Sequence, residues 1–194
     1  TQLIVDHSLA VEHAGFESDA FDKNRSIEDR RNDDRFHFIN WTATAFENVD
    51  VIPPGNGIMH QINLERMSPV VHTKDGVAFP DTLVGTDSHT PANGGVGMLA
   101  IGVGSVEGSS ILAGEPLNIP MPEVMGIHLT GRLAEWVSAK DIILTLLQRH
   151  SVKGGTNRIL EYYGPGVATL SAMDRHVIAN MGTELGATSS VFPS

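Results

Sequence analysis

Apolar residues fall into short continuous runs separated by stretches with helical spacing, and that alternation predicts strands interleaved with helices. The opening TQLIVDHS contains the strand-like Leu3-Ile4-Val5. Phe36, Phe38, Ile39, Trp41 and Phe46 then recur at helix-compatible intervals, predicting an amphipathic helix whose aromatic stripe packs on a core. Pro53-Pro54-Gly55-Asn56-Gly57 ends it, since paired prolines stop a helix and glycines permit a tight path. A short strand is predicted at Ile58 to Leu64 and a buried one at Leu83 to Thr86. Gly94 to Ala113 reads as a glycine-rich helix. Each helical glycine costs about 1 kcal/mol against alanine. The six between Gly94 and Gly108 therefore need a reason, either close packing or backbone approach to a ligand, and the ligand is the favoured one.

The prolines at 116, 120 and 122 predict an extended linker before a strand at Val124 to Leu129. A subdomain boundary is placed there, giving 1–120 and 121–194. Ser138-Ala139-Lys140-Asp141 and Ser171-Ala172-Met173-Asp174 each match a capping box of the S-x-x-D type followed by apolar residues at helical spacing. Both predict helix starts. The fold class is α/β.

Charge narrows the function. Asp22 to Arg35 holds five basic and five acidic residues and reads as a solvated helix face with ion pairs, which leaves the acidic excess elsewhere. The whole chain carries 13 Lys and Arg against 23 Asp and Glu, and a net charge of -10 repels polyanions. Nucleic acid and anionic membrane are thus disfavoured as partners. There is no run of about 18 apolar residues and no secretory leader pattern, so a cytoplasmic location is expected, or a mitochondrial matrix in a eukaryote. With 0 Cys, disulfides, zinc thiolates and the thiolates of an iron–sulfur cluster are all excluded within this chain. Thr1 opens on a strand-like run and Ser194 closely follows the apolar Val191-Phe192. Both ends read as cuts through a larger protein.

Three places combine ionisable groups with a break in regular structure: Asp6-His7, His60, and Asp87-Ser88-His89. The last would stand beyond the carboxyl end of a strand and just before a helix N-terminus, where open α/β folds gather anionic ligands. A histidine beside a carboxylate is held in one tautomer and carries protons better. His13, His37, His72, His128, His150 and His176 lack that context and read as surface or capping residues. Gly95-Val96-Gly97-Met98-Leu99-Ala100 mimics a dinucleotide fingerprint with Glu115 as its ribose acid. The polar loop 87–93 would occupy the pyrophosphate's place, which argues against it.

The blocks LVGTDSHTP, IPPGNGIMHQINLE, IVDHS, LEYYGPGVATLS and MGTELGATSSVFPS together resemble the aconitase family of iron–sulfur hydro-lyases over nearly the whole chain. DGVAFPDTLVGTDSHTP and RNDDRFHFINW look like its 2-methylisocitrate dehydratase branch. SAKDIILTLLQ, VKGGTNRILEYYGPGV and AMDRHVIANMG look like mitochondrial-type and related bacterial aconitases. The resemblance implies a three-layer α/β/α domain, truncated at both ends, whose parent interconverts citrate and isocitrate through cis-aconitate. The alternatives are a 2-methylisocitrate dehydratase, a cluster-free binding or regulatory module, and an RNA-binding role that the acidic charge disfavours.

It further implies carboxylate–histidine pairs Asp6 with His7, His60 with Asp87, and His89 with Glu184, and a substrate contact through Asp87, Ser88 and His89. A family Asn after the HTP motif is replaced by Ala92, with Asn93 one place later. The 4Fe-4S cluster, its cysteine ligands, the substrate-clamping arginines and the catalytic serine are implied for downstream domains. This chain then supplies one wall of a tricarboxylate site, holds no metal itself, and is inactive alone.

Overall fold

The computed structural model describes residues 1–5, 10–61, 63–64 and 66–194, which form two compact units, Thr1–Asn63 and Leu64–Ser194. In the first unit β1 (Gln2–Ile4) pairs in parallel with β2 (Asp50–Ile52), and between them run α1 (Ala20–Arg31) and α2 (Asp33–Ala45). The charge-dense stretch is indeed helical and ion-paired. Lys23 lies 3.0 Å from both Glu17 and Asp19, and Arg31 meets Glu12.

The aromatic stripe of α2 is not core. Phe38, Trp41 and Phe46 are exposed, with Trp41 tilted against Phe38 at a centroid distance of 5.6 Å and edge-on to Phe46 at 5.7 Å. The residue that α2 buries is Thr42, whose hydroxyl bonds back to Phe38 O, so the periodicity was real but its direction was not inward. The strand predicted at Ile58 to Leu64 is also absent among the described residues, where turns stand instead. Buried Asn63 donates its amide to Gly57 O at 2.9 Å, which curls the backbone away from an extended course.

The second unit starts with an antiparallel hairpin, β3 (Val71–Lys74) and β4 (Val77–Pro80), turning through Asp75 and Gly76 at φ 52 and 79. Next come the parallel neighbours β5 (Thr82–Gly85) and β6 (Leu99–Gly102), joined through a 3-10 turn at Thr90–Val96. After α3 (Ser105–Leu112), the proline-bearing stretch is extended and leads to a parallel sheet in the order β7 (Glu123–His128), β8 (Arg158–Tyr163), β9 (Ser189–Val191). That stretch lies inside the second unit. The crossovers are α4 (Ala139–His150) and α5 (Ala172–Asn180), so this region is a β-α-β-α-β unit of an α/β fold.

Both capping boxes form. Asp141 accepts from Ser138 N at 2.8 Å, and Asp174 from Ser171 N at 2.9 Å. The helices then bury Ile143, Leu146, Ile178 and Ala179 against Ile127, Leu160 and Tyr162 of the sheet, and Tyr162 stacks flat on Phe192 at 4.4 Å.

The single helix predicted over Gly94 to Ala113 is instead the 3-10 turn, β6 and α3 in succession. Close packing within the chain accounts for its glycines. A Cβ on Gly94 would stand 1.6 Å from Ser190 O, and one on Gly95 would stand 2.7 Å from His176 N. The turn is pressed between α5 and β9, and a helix of ordinary width would not enter that gap. The dinucleotide mimic falls on this turn and on β6, not on a helix N-terminus, which removes the geometry that reading needs.

Candidate functional site

β5 delivers Asp87-Ser88-His89 to the carboxyl end of the β5–β6 pair, the edge where parallel α/β sheets present ligand-binding loops. The turn is tied to itself. Asp87 Oδ1 accepts from His89 N at 2.8 Å, and Asp87 O accepts from Thr90 N at 3.1 Å and Thr90 Oγ1 at 2.6 Å. Gly102, which ends β6, runs so close beneath that a Cβ there would meet Asp87 O at 3.0 Å. Asp87 Oδ2 is buried and has no hydrogen-bond partner among the described residues. A buried carboxylate oxygen in that condition is costly and calls for a donor.

His89 is half-buried, and its Nδ1 lies 3.3 Å from Asn180 O at the end of α5. A carbonyl can only accept, so in this contact Nδ1 is the donor. Glu184 sits in the 3-10 turn Met181–Leu185 that follows directly. The Thr183 hydroxyl lies 3.1 Å from both Asn180 O and Glu184 Oε2. The structure thus brings Asp87, Ser88, His89 and the turn bearing Glu184 to one locality of the second unit.

His60 belongs to the first unit, half-buried in the turn after the PPGNG bend. That bend is shaped by Gly55 and Gly57 at φ 81 and 90 and closed by the Asn63 amide. Asp6 and His7 lie outside the described residues.

Some polar contacts were missed from sequence. Asn93 is fully buried and spans two elements, accepting from Ser68 Oγ at 2.6 Å and donating to Thr90 O at 3.0 Å. His72 Nε2 meets Asp81 Oδ1 at 3.0 Å across the base of the β3–β4 hairpin, a further carboxylate–histidine pair. The Asp75-Gly76 dipeptide between alternating residues is a hairpin signal that could have revealed that pair. His176, read as a surface or capping residue, is buried, and its Nδ1 meets Ala92 O at 2.8 Å.

The donor set does not suit a metal centre held by this chain alone. It has 0 Cys, and among the described residues no group of three or more His, Asp or Glu is arranged around a metal position. Nor, among those residues, is any helix long and apolar enough to cross a membrane. A concavity of about 450 Å³ on α1 is lined by residues including His13, Lys23 and Arg30, and by none of the candidate residues.

Comparison with known proteins gives the family. The family described as "Aconitase family (aconitate hydratase)" matches residues 1–194. A Shewanella oneidensis protein named 2-methylcitrate dehydratase (2-methyl-trans-aconitate forming) is 57% identical over 99% of this chain and 22% of its own length. An aconitate hydratase A of Cupriavidus necator is 56% identical over 98% of this chain and 22% of its length, and one of Pseudomonas aeruginosa is 47% identical over 98% and 21%. The chain therefore spans about a fifth of the length of these curated relatives. With the family matched from the first residue to the last, and the DSH turn set at a parallel-sheet edge against α5, the chain belongs to the aconitase family.

Proposed function

We propose that this chain is one wall of the active site of a cytoplasmic, 4Fe-4S-dependent hydro-lyase that interconverts citrate and isocitrate through cis-aconitate. The observation that carries the reading is the Asp87-Ser88-His89 turn at the carboxyl end of β5, with His89 Nδ1 3.3 Å from Asn180 O at the end of α5. Dehydration of a 2-hydroxy tricarboxylate breaks a C–H bond and an adjacent C–O bond, and both events need proton control. In this proposal His89 with Glu184, His60 with Asp87, and His7 with Asp6 form the proton-handling pairs, and Asp87, Ser88 and His89 line the substrate. Since this chain has 0 Cys, the cluster and its thiolates belong to the remaining domains, as do the residues that clamp the substrate carboxylates.

The second reading is a dehydratase of 2-methylcitrate, favoured by the 57% identity to a protein of that name. Assays of the full-length protein on citrate, isocitrate and 2-methylcitrate, followed by the ultraviolet absorbance of the enoate, discriminate the two. The first reading expects turnover on citrate and isocitrate, with H89Q slowed about 10²–10⁴-fold. Efficient turnover confined to 2-methylcitrate would replace it with the second. Turnover in H89Q equal to wild type would remove His89 from the chemistry.

A further inference from the structure

Resting on the site reading above, we infer that Thr90, backed by Asn93 and Ser68, is a positioning residue that sets the geometry of Asp87 and His89. Thr90 is fully buried, and its hydroxyl and its backbone N–H both donate to one atom, the carbonyl oxygen of Asp87. Asp87 in turn caps the His89 N–H with Oδ1. Thr90 thus fixes the Asp87 backbone directly and His89 through Asp87, while Asp87 Oδ2 is left buried without a hydrogen-bond partner among the described residues.

The Thr90 side chain has nowhere else to go. It is tucked beneath the last residue of β5, where a Cβ on Gly85 would lie 2.4 Å from Oγ1 and 3.2 Å from Cγ2. Behind it, Asn93 uses both ends of its amide, donating to Thr90 O and accepting from Ser68 Oγ. Ser68 stands at the root of the β3–β4 hairpin, so a hydrogen-bonded line runs from the hairpin base through the interior to the candidate turn. A threonine that only filled space would not need its hydroxyl, because valine fills the same volume. Here the hydroxyl has a short, directed bond to the backbone carbonyl of Asp87.

The test uses the full-length protein as wild type, T90V, T90S and D87N, with kcat, KM and the pH profile of kcat/KM measured on cis-aconitate. T90V keeps shape and removes the donor, whereas T90S keeps the donor and removes a methyl. We expect kcat to fall about tenfold or more in T90V with KM within about threefold and the pH profile displaced, and T90S to restore both. Equal losses in T90V and T90S would reduce Thr90 to packing and overturn the inference. So would unchanged kcat in T90V when D87N has lost activity. Full turnover in D87N would instead overturn the site reading beneath it. If T90V does not accumulate as folded protein, S68A carries the test from the far end of the line. A severalfold fall in its kcat is then expected, and an unchanged kcat overturns the inference.

Discussion

Replacing Gly94 with alanine tests whether the 3-10 turn is truly wedged against β9. The added Cβ would lie 1.6 Å from Ser190 O, and side-chain carbons essentially never come within 3.0 Å of such an atom, so the backbones must part by more than an ångström. That movement breaks the 2.8 Å bond from Phe192 N to Gly94 O and leaves a buried carbonyl unsatisfied. Loss of the bond with its buried acceptor costs about 1–3 kcal/mol, and strain from overpacking about as much again, giving about 2–6 kcal/mol in all. Set against a typical domain stability of about 5–15 kcal/mol, this is a large loss. Gly114 provides the contrast. It has φ 90 and open space around it, so alanine there meets only the left-handed backbone penalty of about 1–2 kcal/mol. Urea unfolding followed by circular dichroism should give a midpoint well below wild type for G94A and only modestly below for G114A. A G94A midpoint at or above that of G114A would refute the close approach.

Two further expectations concern pH. Hydrogen bonds from the Ser138 backbone N–H and hydroxyl hold the Asp141 carboxyl below its ordinary 3.8. Its stabilisation of α4 is therefore complete above that value and fades as pH falls through the folded one, so the stability gap between wild type and D141N should close in acid. A gap that widened in acid urea titrations would contradict this. Burial pushes the Tyr162 phenol well above its ordinary 10.0, opposed only by the nearby Ser190 hydroxyl. The two hydroxyls nevertheless do not meet hydrogen-bond geometry. Favouring the neutral form in this way makes stability fall as pH rises past 10.0, and Y162F should resist alkaline unfolding and lose nothing at neutral pH. A neutral-pH loss above about 2 kcal/mol would show that the hydroxyl is hydrogen-bonded.

What could be read from the chain was what local chemistry decides. Ser138 and Ser171 announce their helices because a cap is satisfied within one turn, and the LVGT run announces β5 because a short apolar run favours an extended strand, though β5 alternates between exposed and half-buried residues and is not buried as expected. The clustering of Asp87, Ser88 and His89 at a strand end was legible for the same reason. Gly94 and Gly95 misled, since their neighbours are Ser190 and His176, more than eighty residues away, and nothing nearby marks a tertiary approach. Trp41 misled differently. Spacing reports that a face is apolar but not what lies against it. Asn93 was invisible as a brace because its worth depends on Ser68 being at the same place.

The clamp on the DSH turn also fixes when it can exist. Its bonds to α5 join residues 84 and 91 positions apart, and the Ser189 hydroxyl reaches Ala100 O over 89. Contacts that distant come late, because the chain entropy lost in closing them is repaid only once both partners are formed. During synthesis, then, Asp87 and His89 emerge long before α5 and β9 and must wait for them. The turn should become resistant to a protease only in nascent chains long enough to have released Phe192, and resistance in shorter chains would show that it sets itself without help. Until that point the future site is an ordinary stretch of open chain.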